Sequence, residues 1–242
     1  NLPVDESYRL LVRRVQDTEI DLIDGIDGVF HLAAQSSVPL SVEDFFDSSE
    51  NNLLSALRVF DWARQLHIPV VYASSSAIYG ELPEGDDTSY ATHLISPYAV
   101  DKLAMEQYAM MAWELYGVPS VGLRFFNVYG PRQDPDSPYS GVISVFIKGV
   151  SSEGLVTVNG GSQTRDFVYV GDVARANVLV LEDQRADYRS FNVAGQGPTN
   201  VIDYARTVAR ACGAQMKSPK ISVGACGAQS KSPKLFVGVC GA

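Results

Sequence analysis

Ile68-Pro69-Val70-Val71-Tyr72-Ala73-Ser74-Ser75-Ser76 is a β-branched, apolar run that ends in three hydroxyls. Apolar residues at successive positions suit a strand covered on both faces, as in a parallel sheet. Some twenty residues later, Ser96-Pro97-Tyr98-Ala99-Val100-Asp101-Lys102 opens a helix, with Ser96 as N-cap and Pro97 at its first position. That helix is expected to run to about Tyr116 and to stop at Gly117-Val118-Pro119. Strand, loop and helix in this order argue for an α/β chain with an open parallel sheet, in which ligands sit beyond the C-terminal ends of the strands. The serines stand at such an end. Tyr98 and Lys102, four residues apart, share one helix face. An ammonium there favours ionisation of the phenol, whose ordinary pKa is about 10. A phenol made acidic in this way takes a proton from a sugar or alcohol hydroxyl near neutral pH. Taken alone, the spacing also describes an exposed tyrosine beside a solvated lysine.

Working outward, Val29-Phe30-His31-Leu32-Ala33-Ala34 reads as a neighbouring buried strand that ends in small residues, with His31 as a core histidine. Pro39 reads as a break and Ser41 as the N-cap of a helix over 42–66, in two pieces near Ser48–Asn51. Phe45, Phe46, Leu53, Leu54, Val59 and Trp62 give that helix more apolar surface than one sheet face needs, so a second partner is expected. Arg9 to Ile26 suggests a short strand and then a helix. Further on, Val121 to Phe126 is a strand, Asn127 to Arg132 a loop, and Val142 to Val150 a helix. Leu155–Val158, Phe167–Val170 and Phe191–Ala194 are short strands, and Asp172 caps a helix over Val173–Leu181. Val201 to Cys212 is a last helix. The expected organisation is a parallel-sheet domain over 1–150, into which some later segments cross, and a smaller mixed lobe over 151–211. An irregular tail follows over 212–242. There Cys212–Ala225 and Cys226–Val239 are two copies of a fourteen-residue unit with ten identical positions, a period too short for a solenoid.

The net charge of −9 argues against nucleic-acid or anionic-membrane partners, which need a basic surface. No stretch approaches the roughly 20 apolar residues of a membrane span, and the N-terminus does not read as a signal peptide. Three cysteines, all beyond residue 211, do not form a disulfide framework, so a cytoplasmic setting is the default. His31, His67 and His93 are scattered without metal-ligand spacing, so no metal site is expected.

Several patterns then coincide in order: Val29 to Gln35, Ser74-Ser75-Ser76-Ala77-Ile78-Tyr79-Gly80, Ser96-Pro97-Tyr98-x-x-x-Lys102, Leu123-Arg124-Phe125-Phe126-Asn127-Val128-Tyr129-Gly130-Pro131-Arg132, and Arg165-Asp166-Phe167-Val168-Tyr169-Val170-x-Asp172. Over about residues 20–210 the chain resembles the extended short-chain dehydrogenase/reductases that epimerise or dehydrate nucleotide sugars, UDP-glucose and UDP-N-acetylglucosamine 4-epimerases above all. The resemblance implies a Rossmann-type domain for NAD and a smaller lobe for a UDP-sugar. It implies Tyr98 as acid/base, Lys102 as the group that lowers its pKa and holds the nicotinamide ribose, and Ser75 as the catalytic hydroxyl. It implies Ala33, Ala34 and Asn52 along the cofactor, and Asn127 and Arg165 on the substrate diphosphate. It also implies a homodimer through helices 42–66 and 97–116. Ser76 and Ala77 stand where dehydratases and decarboxylases of the family carry acids, which leaves 4-epimerisation as the expected reaction. The alternatives are a UDP-glucuronate epimerase or decarboxylase, or a non-catalytic nucleotide-binding scaffold.

The chain departs from the family pattern in three places. It has no G-x-x-G-x-x-G, and is expected to begin after that unit, with Asn1-Leu2 matching the end of the second strand. Arg13-Arg14 precede Val15-Gln16-Asp17 where the family has Gly-Asp before an adenine-facing aspartate. The repeat stands in place of a later lobe segment with a second diphosphate-binding arginine.

Overall fold

A computed structural model of the protein describes residues 10–23, 25–82, 85–137, 139–159, 162–183, 188–212 and 220–224. The Asn1-Leu2 strand end, the turn at Gly160-Gly161 and most of the repeat lie outside them.

The main sheet is parallel and has four strands. β1 (Val29–His31) pairs with β2 (Val70–Ser75), β2 with β3 (Ser120–Phe125), and β3 with β8 (Ser190–Val193). All six residues of β2 are buried, as its unbroken apolar run requires. Alternation along it divides the core. Val70 and Tyr72 face a cluster with Val59, Phe60 and Trp62 of α3 (Ser55–Leu66) and Met105, Ala109 and Ala112 of α4 (Pro97–Tyr116). Val71 faces the other side with Val121 and Leu123, against Ala176 and Val180 of α6 (Val170–Glu182). Tyr72 and Phe60 meet edge to face, with ring centroids 5.6 Å apart. Fully burying side chains of this size contributes about 1.5–3 kcal/mol each.

The α4 boundaries follow the sequence reading. Ser96 Oγ accepts the Ala99 N–H at 3.2 Å, and Gly117 closes the helix in the left-handed region at φ +67°. The preceding helix differs. It starts as α1 (Val38–Glu43), capped by Ser37, whose Oγ accepts the Leu40 N–H. Pro39 lies in the first turn, where its missing N–H needs no helical partner. Ser41 is therefore not a cap but a buried residue of α1. The chain breaks at Asp44, continues as α2 (Phe45–Ser49), and widens into a π-turn over Glu50–Leu54 before α3. Between residues 10 and 26 it forms two 3-10 turns, Val15–Asp17 and Ile20–Leu22, and no strand among the described residues.

Beyond β3, Asn127–Tyr129 is a strand (β4) rather than a loop, and it pairs in parallel with β7 (Phe167–Tyr169). Tyr169, not Asp172, precedes α6, and Asp172 lies in its first turn. α5 (Val142–Glu153), β5 (Leu155–Asn159) and α7 (Val201–Ala211) share a second core of Phe146, Val150, Val156, Val158 and Ala205. β6 (Thr164–Arg165) pairs antiparallel with β9 (Thr199–Asn200). Within the expected irregular tail, Lys220–Gly224 forms β10, which extends β5 in parallel. Among the described residues no helix is long and apolar enough to cross a membrane.

Candidate active site

The C-terminal end of β2 carries Ser75, and the first turn of α4 carries Tyr98. Both are buried, at 1% and 4% exposure. β4 and β6 bring Asn127 and Arg165 to the same place. All four residues line one cavity of about 740 Å³, together with Tyr79, Asp166 and Asn192. Positions separated by up to 90 residues in sequence thus converge (from Ser75 to Arg165): Ser75 stands at the C-terminal end of a main-sheet strand, and the separate two-stranded ladders of β4 with β7 and β6 with β9 bring Asn127 and Arg165 to it.

Each side chain has its own support. Ser75 Oγ accepts the Ala77 N–H at 3.1 Å and turns the chain away from the strand. The turn ends at Gly80, in the left-handed region at φ +54°, where a Cβ would run into the His93 carbonyl. The Tyr98 N–H donates to Ser41 Oγ at 3.2 Å. Lys102 is 2% exposed; its Nζ donates to the Ala73 carbonyl at 2.7 Å and lies 5.6 Å from the Tyr98 ring centre. Asn127 Nδ2 and its own N–H both donate to the Asp166 carbonyl, at 2.9 and 3.0 Å. Arg165 donates to the Thr164 carbonyl at 2.7 Å, and burial pulls its guanidinium below the usual range. Burial first, and then the Lys102 charge, push His31 down to about 3, so its imidazole is neutral around pH 7.

Ala33, Ala34 and Asn52 do not line this cavity. Ala33 and Ala34 are exposed just beyond β1, two strands from β3. Asn52, 1% exposed in the π-turn, accepts the Gln35 N–H at 2.8 Å and so fixes the loop that carries the two alanines. Small, exposed residues at the end of a parallel strand leave room for a ligand to approach the backbone there.

Four contributors escape the sequence reading. Ser41 reads there as a cap, whereas it supports the Tyr98 backbone. Tyr79 lines the cavity, and Arg124 and Glu106 continue from it as a buried chain behind the wall; the one readable signal is Glu106, one turn beyond Lys102. No group of three or more His, Cys, Asp or Glu that could hold a metal occurs among the described residues.

A Rossmann-type sheet with a serine at a strand end and a Tyr/Lys pair on a helix packed beside it has the pattern of an extended short-chain dehydrogenase/reductase. Residues 13–194 match the NAD dependent epimerase/dehydratase family, and the chain belongs to that family. It is similar to a putative UDP-glucose 4-epimerase of Methanocaldococcus jannaschii, 40% identical over 171 residues, which are 68% of this chain and 55% of that protein. It superposes on the Thermus thermophilus UDP-glucose 4-epimerase in complex with NAD, with a TM-score of 0.78 at 34% identity, covering 90% of this chain and 73% of that one. It also superposes on a Bacillus cereus UDP-glucuronic acid 4-epimerase in complex with UDP-glucuronic acid and NAD, with a TM-score of 0.81 at 27% identity, covering 91% and 69%. The chain spans little more than half the length of the first of these relatives.

Proposed function

We propose that the protein is a nucleotide-sugar 4-epimerase that interconverts UDP-glucose and UDP-galactose, or their N-acetylated forms, by transient oxidation at C4. The observation that carries this reading is the convergence of Ser75, Tyr98, Asn127 and Arg165 on one cavity, with the Lys102 ammonium buried behind the phenol. Bound NAD supplies the redox chemistry at C4. Tyr98 takes the proton from the 4-hydroxyl and returns it after the sugar has turned. Lys102 holds the phenolate by its charge, and Ser75 orients the hydroxyl. Asn127 and Arg165 hold the diphosphate, for which a planar guanidinium suits best. Ala33 and Ala34 let the cofactor approach the end of β1, and Asn52 steadies their loop.

The residues after Ser75 favour epimerisation over decarboxylation or dehydration. Ser76 and Ala77 also line the cavity and bring no carboxylate to assist those reactions. The test is to incubate the complete encoded polypeptide and NAD with UDP-glucose, UDP-N-acetylglucosamine and UDP-glucuronate, and to follow the 4-epimers by anion-exchange chromatography. Turnover of UDP-glucose or its N-acetyl form supports the proposal; turnover of UDP-glucuronate alone replaces it with the uronate epimerase.

We also propose a homodimer. Phe45 and Phe46 of α2 and Tyr108, Met111, Leu115 and Tyr116 of α4 are 42–70% exposed, an apolar surface spread along two neighbouring helices. A second copy covers it in this reading, and light scattering at a single-chain mass would sink the idea.

A further inference from the structure

Tyr98, Lys102 and Glu106 follow one another at four-residue steps and share the inner face of α4. A lysine and a glutamate one turn apart ordinarily attract each other, with Cβ atoms about 5–6 Å apart. Here the carboxylate is engaged elsewhere. Arg124 of β3 grips it with both arms of its fork, Nε to Oε1 at 2.9 Å and Nη2 to Oε2 at 2.6 Å, and each side chain is 9% exposed. Ser74 Oγ donates to the same Oε1. The remaining arm of Arg124, Nη1, donates to Tyr79 Oη at 2.7 Å, and Tyr79 Oη donates in turn to Asn192 Oδ1 at 2.8 Å. Burial alone would lower the guanidinium, but the Glu106 hydrogen bonds and charge outweigh it and hold it above its usual range. A fork of this kind satisfies both carboxylate oxygens at once, which an ammonium cannot do.

We propose that Arg124 is a positioning residue that holds Glu106 away from Lys102 and so keeps the lysine's charge directed at the Tyr98 phenol. The inference rests on the acid/base role proposed above for Tyr98. Other charges around the pair do not do this work. His31 of β1 is neutral, and Tyr72 of β2 is held protonated by burial and by the Glu106 charge. Tyr79 of the serine turn is raised by burial. Asp101, on α4 itself, is raised by burial, against which the Ser49 and Asn52 hydrogen bonds and the Lys102 charge pull; it stays in place in every variant below and so cancels from their comparison. On the helical stretch packed against α4, Glu43, Asp44 and Asp47 are exposed, and Glu50 pairs with Arg14 at 2.9 Å. On α3, Asp61 and Arg64 pair with each other at the surface.

The test reads the phenol directly. In the complete polypeptide with NAD bound, phenolate absorbance is titrated for each variant and for the same variant carrying Tyr98→Phe, and the difference is the Tyr98 titration. An opposite charge within about 4–6 Å moves a titration by about 1–3 units, so Glu106 captured by Lys102 is expected to cancel about one unit of that. Arg124→Gln is expected to raise the Tyr98 midpoint, and the acid limb of kcat/KM with it, by about one pH unit. The double variant Arg124→Gln/Glu106→Gln is expected to return both to within about 0.3 units. A midpoint unmoved in Arg124→Gln, or a shift that persists in the double variant, overturns the proposal. If Arg124→Gln does not fold, Arg124→Lys keeps the charge but covers one oxygen, and is expected to shift the midpoint by about half as much; no shift there overturns it equally. Failure of the unaltered protein to epimerise any UDP-sugar refutes the proposed function instead, since the absorbance titration needs no turnover.

Discussion

Lys102→Met removes one charge while keeping most of the buried volume. The Lys102 ammonium lies 5.6 Å from the centre of the Tyr98 ring, over which a phenolate spreads its charge. At an effective dielectric of about 20, two unit charges at that separation attract by about 3 kcal/mol. That equals about two pH units on the phenol. The variant is therefore expected to epimerise about a hundredfold more slowly at pH 7, because the fraction of Tyr98 ready to accept a proton falls by that factor. The loss is not uniform across pH. The acid limb of kcat/KM moves upward by about two units, so the gap between the two proteins narrows as the pH rises. The assay is initial-rate epimerisation of the UDP-sugar from pH 5.5 to 9.5 at saturating NAD, with circular dichroism to confirm that the fold is kept. The fold is expected to be kept, since burying an ammonium is itself costly and methionine fills the same space, against the loss of the hydrogen bond to the Ala73 carbonyl. A hundredfold loss that stays constant across the pH range would refute the electrostatic reasoning and leave Lys102 as a mere holder of the cofactor.

Four further outcomes are expected. Tyr98→Phe should lower kcat by about 10²–10⁴ while calorimetric binding of the UDP-sugar stays within about threefold. Ser41→Ala strips the Tyr98 N–H of its acceptor in a fully buried setting, so urea unfolding should show a loss of about 1–3 kcal/mol. His31 refuses in the folded state, down to about pH 3, a proton that the unfolded chain accepts below about 6.5. Stability is thus complete above pH 6.5 and falls as the pH drops; His31→Gln should escape about 2 kcal/mol of the loss between pH 7 and 5, and equal losses in both proteins would sink the point. Gly80→Ala forces a side chain into a left-handed turn and against the His93 carbonyl, so its melting temperature should fall, with a cost above about 1 kcal/mol.

What the sequence makes legible is local. The buried run of β2 and the Ser96-Pro97 start and Gly117 stop of α4 each carry their signal within a few residues, and the structure has each of them in place. The placement of Ser75 at a strand end and of Tyr98 and Lys102 on one helix is legible for the same reason, and their chemical roles belong to the proposed function. The misread parts depend on partners far along the chain. Asn127–Tyr129 looks like a loop until Phe167–Tyr169 pairs with it across some forty residues. Pro39 looks like a break because the cap that makes it tolerable, Ser37, is one serine among several. Arg124 reads only as part of its strand and Glu106 only as a position one turn beyond Lys102; the docking of α4 on β3 buries the two together.

The parallel pairing of β3 with β8 has a consequence for synthesis. β3 ends at Phe125, and its second partner starts at Ser190. A ribosome adding about 5–20 residues per second leaves that edge of the sheet without its neighbour for about 3–13 s. During those seconds the nascent chain presents a row of backbone donors and acceptors beside Leu123 and Phe125, the kind of edge that another nascent chain or a holding chaperone can occupy. That exposure lasts while α5 to α6 are being made, and the arrival of Ser190–Val193 ends it.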